Sequence, residues 1–524
     1  MEQFIFLCVL ILTILLQCEC YKILLVSPIP GKSHEMLGNG LAKHLVNAGH
    51  EVTLITSTPN KKPIKNLTEI FVGDTLDKTS DHMGNVTKIM NKEIDVFNMN
   101  LVTSVMRRYS VMTLQHSDIQ KLISDPTQHF DVVIAEWMFN ELYTALRVIF
   151  DCPFIWFSTT EPFWLVLMTI DDPPNPSYNQ DILSTNTPPL DFIKRVQELF
   201  CQVNGILNYY FKWNPTQKED YEKIIVPVLK RLGKQIPSFD EVKRNVSLML
   251  GNSHVSLGQT IRLPQNYIPI AGFHIDNNVT PLTKDLKTIM DTAKHGVIYF
   301  SMGSNLKSKQ MPSEIKKGLL DIFGKLKQTV IWKFEEDLPN RPNNVHIVQW
   351  AQQHSILAHP NCVLFITHGG YLSLTETIHF GVPIIGIPVF GDQFSNMVRA
   401  VEKGYAKKVD LSYSMVEDLK VAIYDILNDS RYKKRAKELS LVYHDRPVPP
   451  GKELVHWVEH VIRTGGAIHL RSPALDVAWY KKMYLDLAAV LLSGLIILEY
   501  FLIYIFKYLL KLCSVTISKE KKRN

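Results

Sequence analysis

The sequence predicts an α/β protein of two doubly wound parallel domains in tandem, followed by one transmembrane helix. Three observations predict it. Short apolar runs recur, each followed by a turn and then a helical pattern. The rhythm stops in a Pro-rich stretch and then restarts. A twenty-residue apolar run, Leu487 to Phe506, stands near the C-terminus.

At 524 residues the chain is too long for one ordinary core, so two domains are the first expectation. Hydrophobic content of 46% with 21% charged residues is globular, not disordered. The net charge of +6 is small, and basic residues crowd the last eighteen positions, so the body is near neutral. A nucleic-acid footprint needs a basic face and a recognisable module, and neither is present.

Phe4 to Leu16 is apolar except for Thr13, too short to span a bilayer and too long for a buried strand. With small residues Cys18 and Cys20 behind it, the run predicts a signal peptide over residues 1–20, although Glu2 replaces the usual basic flank. Lys22 to Ser27, Glu51 to Thr56, Asp131 to Ala135 and Pro153 to Ser158 read as buried parallel strands. Between the first two, Leu37, Leu41 and Leu45 mark one helix face, and Gly49 suits its stop. Residues 171–190, with Pro173, Pro174, Pro176, Pro188 and Pro189, predict an irregular excursion lining a cleft. Strands resume at Val297 to Phe300, Val330 to Lys333, Val345 to Gln349, Cys362 to Thr367 and Pro383 to Val389. The N-terminal domain is accordingly placed at 21–280 and the C-terminal domain at 281–450. Residues 451–484, with Trp457 and Trp479, are expected to be helices returning toward the first domain and the membrane.

The transmembrane helix is placed at 485–507, with Glu499 its one acidic residue past the midpoint. Lys507, Lys511, Lys519, Lys521, Lys522 and Arg523 follow, so the positive-inside rule puts the tail 508–524 in the cytosol and the body in the lumen. Five acceptor sequons, Asn66, Asn85, Asn245, Asn278 and Asn428, suit that placement. The last four residues, Lys521-Lys522-Arg523-Asn524, resemble a di-lysine retrieval signal, which predicts residence in the endoplasmic reticulum. Cys152, Cys201 and Cys362 would remain in the lumen, without metal-ligand spacing and with at most one disulfide among them.

Ligands of open α/β sheets bind beyond the carboxyl ends of the strands. Those ends carry Ser301-Met302-Gly303, Trp350-Ala351-Gln352-Gln353, His368-Gly369-Gly370 and Gly391-Asp392-Gln393. Thr367-His368-Gly369-Gly370 leaves a strand for a helix expected near Leu372, an arrangement that suits an anion. Ser373-x-x-Glu376 is equally a capping-box spacing, which needs no ligand.

From Trp350 to Gln393 the chain reads WAQQHSILAHPNCVLFITHGGYLSLTETIHFGVPIIGIPVFGDQ. This closely resembles the donor-binding signature of the UDP-glycosyltransferases, and the resemblance runs along essentially the whole chain, closest to the animal, insect-type branch. It implies two facing Rossmann-like domains of the GT-B type. By the same resemblance Trp350 stacks on uracil, and Gln353 helps hold the nucleoside. His368, Gly370 and Ser373 bind diphosphate, Glu376 accepts from ribose, Asp392 and Gln393 bind the sugar, and Ser301 and Gly303 approach the donor. Gln352 and Leu372 depart from the family's Pro and Asn, the latter costing a phosphate contact. In Pro30-Gly31-Lys32-Ser33-His34, His34 matches the family's catalytic base, and Glu136 stands where the family has Asp. A carboxylate there could instead bind nearby backbone.

The implied reaction is inverting hexosyl transfer, with UDP-sugar as co-substrate and glucose ahead of glucuronate. No cofactor and no metal is expected, since neither an Asp-x-Asp pair nor a histidine cluster is visible near the phosphate residues. The expected acceptors are small lipophilic hydroxyl compounds, in a detoxification or conjugation role. Phe163, Trp164, Tyr209, Tyr210, Phe211 and Trp213 could line their site or be core. Two other readings stand: a non-catalytic lipophile-binding membrane protein on the same fold, and a transferase acting on protein or lipid. Monomer and homo-oligomer are both left open.

Overall fold

The computed structural model describes residues 20–76, 86–276, 278–304, 306 and 308–520, the last eight as backbone alone. The signal segment up to residue 19, Asn85 and the terminal Lys521, Lys522 and Arg523 lie outside the described residues. The chain divides into two compact units after Arg471.

The larger unit holds two parallel sheets. The first contains β1 (Lys22–Ser27), β2 (Glu51–Thr56), β3 (Leu67–Phe71), β4 (Val132–Trp137), β5 (Phe154–Ser158), β6 (Leu248–Gly251) and β7 (Tyr267–Pro269), ordered β3-β2-β1-β4-β5-β6-β7. The second contains β8 (Val297–Ser301), β9 (Thr329–Lys333), β10 (Val345–Val348), β11 (Cys362–Thr367), β12 (Ile384–Gly386) and β13 (Ala406–Lys408), ordered β10-β9-β8-β11-β12-β13. Both are doubly wound, with the strand order reversing between β1 and β4 and again between β8 and β11. Central strands such as VVIAEW and FIWFS are enclosed on both faces, which is why they open as apolar runs, VVIA and FIWF, with polar residues only toward their ends.

Edge strands escape that logic. The β3 segment LTEIF is half in solvent, and β13 is AKK, so neither shows an apolar run. The sequence predicts a strand over Pro383 to Val389, but only Ile384–Gly386 pairs, because three-residue β13 is its outer partner. After the Pro-rich stretch the chain turns helical at Phe192–Asn208 and continues so to Arg231, a region the apolar rhythm does not forecast. Phe192, Ile193, Val196, Leu199 and Phe200 lie exposed along that helix. Of the six aromatics singled out, Phe163, Trp164 and Tyr209 are core, and Tyr210 and Phe211 are exposed. Trp213 packs half-buried beside the core.

The helix Pro450–Arg463 buries Leu454, Val458 and Val461 against Leu37, Leu41 and Leu45 of the first lobe. Cys20, Cys152, Cys201 and Cys362 are all free thiols, so the disulfide allowed by the sequence does not form among the described residues. Asn66, Asn245, Asn278 and Asn428 are exposed. The smaller unit contains the helix Leu485–Glu520, whose span Leu485–Leu512 is long and apolar enough to cross a membrane. Its 28 residues make about 42 Å of helix, more than a bilayer core requires.

Candidate active site

The first reversal of strand order places two groups side by side. His34 sits in the first turn of the helix Lys32–Asn47, which follows β1, and Glu136 lies near the end of β4. The two strands pair Val26 with Ala135, so the next residues, Ser27 and Glu136, are brought level. Glu136 is 2% exposed. A carboxylate so enclosed costs several kcal/mol unless its oxygens are partnered. Oε2 accepts from Ser27 Oγ at 2.8 Å, and Oε1 makes a short hydrogen bond with His34 Nδ1. Both partners are side chains, so the carboxylate is not a backbone clamp, and the longer glutamate still reaches the imidazole.

With Nδ1–H donating to Glu136, the lone pair of His34 is on Nε2. Burial would lower the affinity of this imidazole for a proton. The charge and hydrogen bond of Glu136 outweigh that, and the His34 pKa lies above the ordinary histidine value. Ser27, which fixes the far oxygen, carries no sequence signal beyond its place at a strand end.

The second reversal is built the same way. Ser301 ends β8 and Thr367 ends β11, and the two are paired in register. Gly303 and Gly370 then both close on the Cε1–Nε2 edge of the His368 ring. A Cβ on Gly303 would lie 2.6 Å from His368 Cε1, and one on Gly370 would lie 2.4 Å from Nε2. Gly303 also has a φ of 79°, which side-chain-bearing residues rarely adopt. Burial, with Lys333 nearby, lowers the His368 pKa to about 4, so the ring is neutral at pH 7 and offers one N–H. Lys333 is buried and donates to Gly303 O at 3.0 Å and Glu335 Oε1 at 2.9 Å. It ties the Gly303 carbonyl to the Glu335 carboxylate, and nothing in the motif announces it.

The helix after His368 runs Tyr371–Phe380, with Gly370 as N-cap and no side-chain cap. Its first backbone N–H groups therefore point outward unclaimed by any cap. Ser373 lies inside the helix rather than before it, which rules out the capping-box alternative. Its Oγ accepts from Gln353 Nε2 at 3.3 Å, and the same amide donates to Glu376 Oε2. Trp350 stays 60% exposed just beyond β10, as a free aromatic face. Asp392 Oδ2 accepts from Asn396 Nδ2 at 2.8 Å. Gln393 Oε1 accepts from the backbone N–H groups of Val389 and Phe390, leaving only its NH2 to turn toward a ligand.

The two strand-end surfaces meet. Tyr371 Oη donates to Glu161 Oε1 at 2.9 Å, Arg399 Nη2 approaches Glu161 Oε2 at 3.3 Å, and Ser395 Oγ donates to Ile182 O at 2.6 Å. Leu372, where the family signature has Asn, packs against the apolar cluster of Leu37, Leu41 and Phe273 in the first lobe. Leu372 thus makes an apolar contact between the lobes. The absence of a histidine cluster, expected from the sequence, is corrected by the fold. His274, after β7, and His354 converge on Glu376 from distant parts of the chain.

Two doubly wound lobes facing each other through their strand ends, one with a paired His–Glu and the other with a glycine-lined histidine loop, make up the GT-B fold. Solved structures share this fold. CalG4, the calicheamicin glycosyltransferase, is 16% identical, with a TM-score of 0.55 over 85% of this chain and 99% of that one. SnogD from Streptomyces nogalater is 16% identical, with a TM-score of 0.53 over 84% and 100%. Over residues 22–523 the chain matches the family described as UDP-glucoronosyl and UDP-glucosyl transferase, and it belongs to that family. Similar proteins include UDP-glucosyltransferase 2 of Dactylopius coccus, 32% identical over 96% of each chain. UDP-glucuronosyltransferase 1A3 of Homo sapiens is 27% identical, over 92% of this chain and 90% of that protein.

Proposed function

We propose that this UDP-glycosyltransferase moves a hexose, glucose in the first instance, to the hydroxyl of a small lipophilic acceptor, with inversion and without a metal. The observation that carries the reading is the His34–Glu136–Ser27 chain, which leaves His34 Nε2 as a fixed base at the first switch point. Nε2 takes the acceptor hydroxyl proton as the oxygen attacks the anomeric carbon. The bond from that carbon to the diphosphate breaks, and UDP leaves with the electron pair. Glu136 compensates the imidazolium that forms. His368, the first N–H groups of the helix Tyr371–Phe380 and Ser373 would take up the charge on the departing diphosphate. Trp350 would stack on the base, Glu376 would accept from ribose, and Asp392 with the Gln393 amide would hold the sugar. Ser301 and Gly303 would border the donor.

The lipophilic acceptor is favoured by the exposed apolar stripe on the helix Phe192–Asn208. The exposed sequons and the apolar C-terminal helix support a lumenal, glycosylated body in the endoplasmic reticulum membrane. Protease added to sealed microsomes should trim only the C-terminal tail; loss of the body would refute that topology. The decisive test of function is His34→Ala, assayed with UDP-glucose and a phenol library by mass spectrometry. Turnover should fall by about 10²–10⁴-fold with UDP affinity kept. Undiminished turnover would end this mechanism. A wild-type protein that binds lipophiles but transfers no sugar would favour the non-catalytic reading.

A further inference from the structure

Three side chains that no sequence motif joins meet beside the donor helix. His274 follows β7, His354 lies in the helix Gln353–Ala358, and Glu376 lies in the helix Tyr371–Phe380. One ligand atom from each falls within 4.8 Å of the others. His354 Nε2 is 3.0 Å and His274 Nε2 is 3.9 Å from the same oxygen, Glu376 Oε1. The other oxygen, Oε2, is already held by the Gln353 amide. Tetrahedral zinc, with bonds of about 2.0–2.2 Å to nitrogen and oxygen, keeps its ligand atoms roughly 3.3–3.5 Å apart. The two observed separations bracket that spacing.

A second observation points to a ligand. The His274 side chain is 0% exposed, yet neither of its ring nitrogens has a hydrogen-bond partner among the described residues. Buried polar atoms of native proteins are nearly always partnered, so an enclosed imidazole with both nitrogens idle calls for a guest. His354 is 22% exposed along its side chain, which leaves a way in from solvent. Two imidazoles and a carboxylate suit zinc, copper or nickel better than magnesium or calcium.

We propose that His274, His354 and Glu376 form a site for one borderline divalent cation of the zinc class, open at its fourth position, and that cation and UDP-sugar exclude each other there. The exclusion rests on the reading of Glu376 as the ribose acceptor: a carboxylate oxygen committed to a cation is withdrawn from the ribose hydroxyls. The cation is then an inhibitor of donor binding, not a participant in transfer.

The test uses the full-length, detergent-solubilised protein without a histidine tag, titrated calorimetrically with zinc and with UDP. Zinc should bind once per chain, and saturating zinc should weaken UDP by more than about tenfold, reversibly on chelation. His354→Asn, which removes one of three ligands, should weaken zinc by more than about tenfold. Sugar transfer by that variant in chelator should stay near the wild-type rate. His354→Cys exchanges one zinc ligand for another and should keep the cation. Absence of stoichiometric zinc, or zinc binding indifferent to His354→Asn, would overturn the site. Zinc that binds through His354 but leaves UDP affinity unchanged would overturn the exclusion. A parallel titration of Glu376→Ala separates the causes. If that variant binds UDP normally, the ribose assignment itself has failed; if it binds UDP poorly, the assignment stands and only the exclusion falls.

Discussion

Glu136→Gln isolates the charge behind the proposed base, His34, because the structure lets everything else survive. The glutamine carbonyl can accept from His34 Nδ1–H, and its NH2 can donate to Ser27 Oγ in place of the hydrogen bond now running the other way. Only the negative charge is lost. A hydrogen bond to a charged group exceeds a neutral one by about 1–2 kcal/mol. That difference is felt most when the imidazole becomes imidazolium in the transition state. It predicts a fall in plateau kcat of about five- to thirtyfold. The pH profile carries a second signature. A base at His34 works only when neutral, so on this proposal activity should fall as pH drops through the His34 pKa, which Glu136 holds above the ordinary value. Without that charge, burial alone acts on the ring and lowers its pKa, so the acid limb must move to lower pH. The assay is kcat and kcat/KM for UDP-glucose and a lipophilic phenol between pH 5 and 9, read by chromatography of the glucoside. An acid limb that stays in place, or moves to higher pH, would refute His34 as the titrating base.

Gly303→Ala should abolish donor binding while the protein still folds. Its φ of 79° costs an alanine about 1–2 kcal/mol, and the new methyl must displace the His368 ring; unchanged UDP affinity would refute the cradle. Trp350→Ala should weaken UDP by about 1–3 kcal/mol with little change in thermal stability, since the indole is exposed; calorimetric titration of UDP checks both the size and the assignment. Tyr371→Phe removes a buried hydrogen bond to Glu161 between the lobes, worth about 1.5–3 kcal/mol as a bond to a charged group. A lower Tm and a changed donor KM are expected, and an unaltered melting curve would show that the link is idle.

What the sequence determined by itself was whatever is local along the chain. Buried parallel strands announce themselves because both faces of each, as in the FIWF of β5, must be apolar. The loop His368-Gly369-Gly370 is legible because a strand, a turn and a helix start occupy consecutive residues. The long apolar helix follows from its length alone. The pairing of His34 with Glu136 was legible only through the resemblance to the family; the neighbouring places of β1 and β4 in the sheet supply its physical reason.

Tertiary structure decided what depends on side chains from distant segments. Ser27 behind Glu136, Lys333 bonded to Gly303, and the Tyr371–Glu161–Arg399 link between lobes have no periodicity and no motif. The convergence of His274 and His354 on Glu376 is of the same kind. Each is a buried polar group that must find a partner when water is removed, and which partner it finds is set by sheet order and lobe contact. Leu372 shows the limit from the other side. Sequence alone records it as a missing phosphate contact, whereas the fold turns it toward the core of the opposite lobe, where an apolar side chain is the stabilising choice.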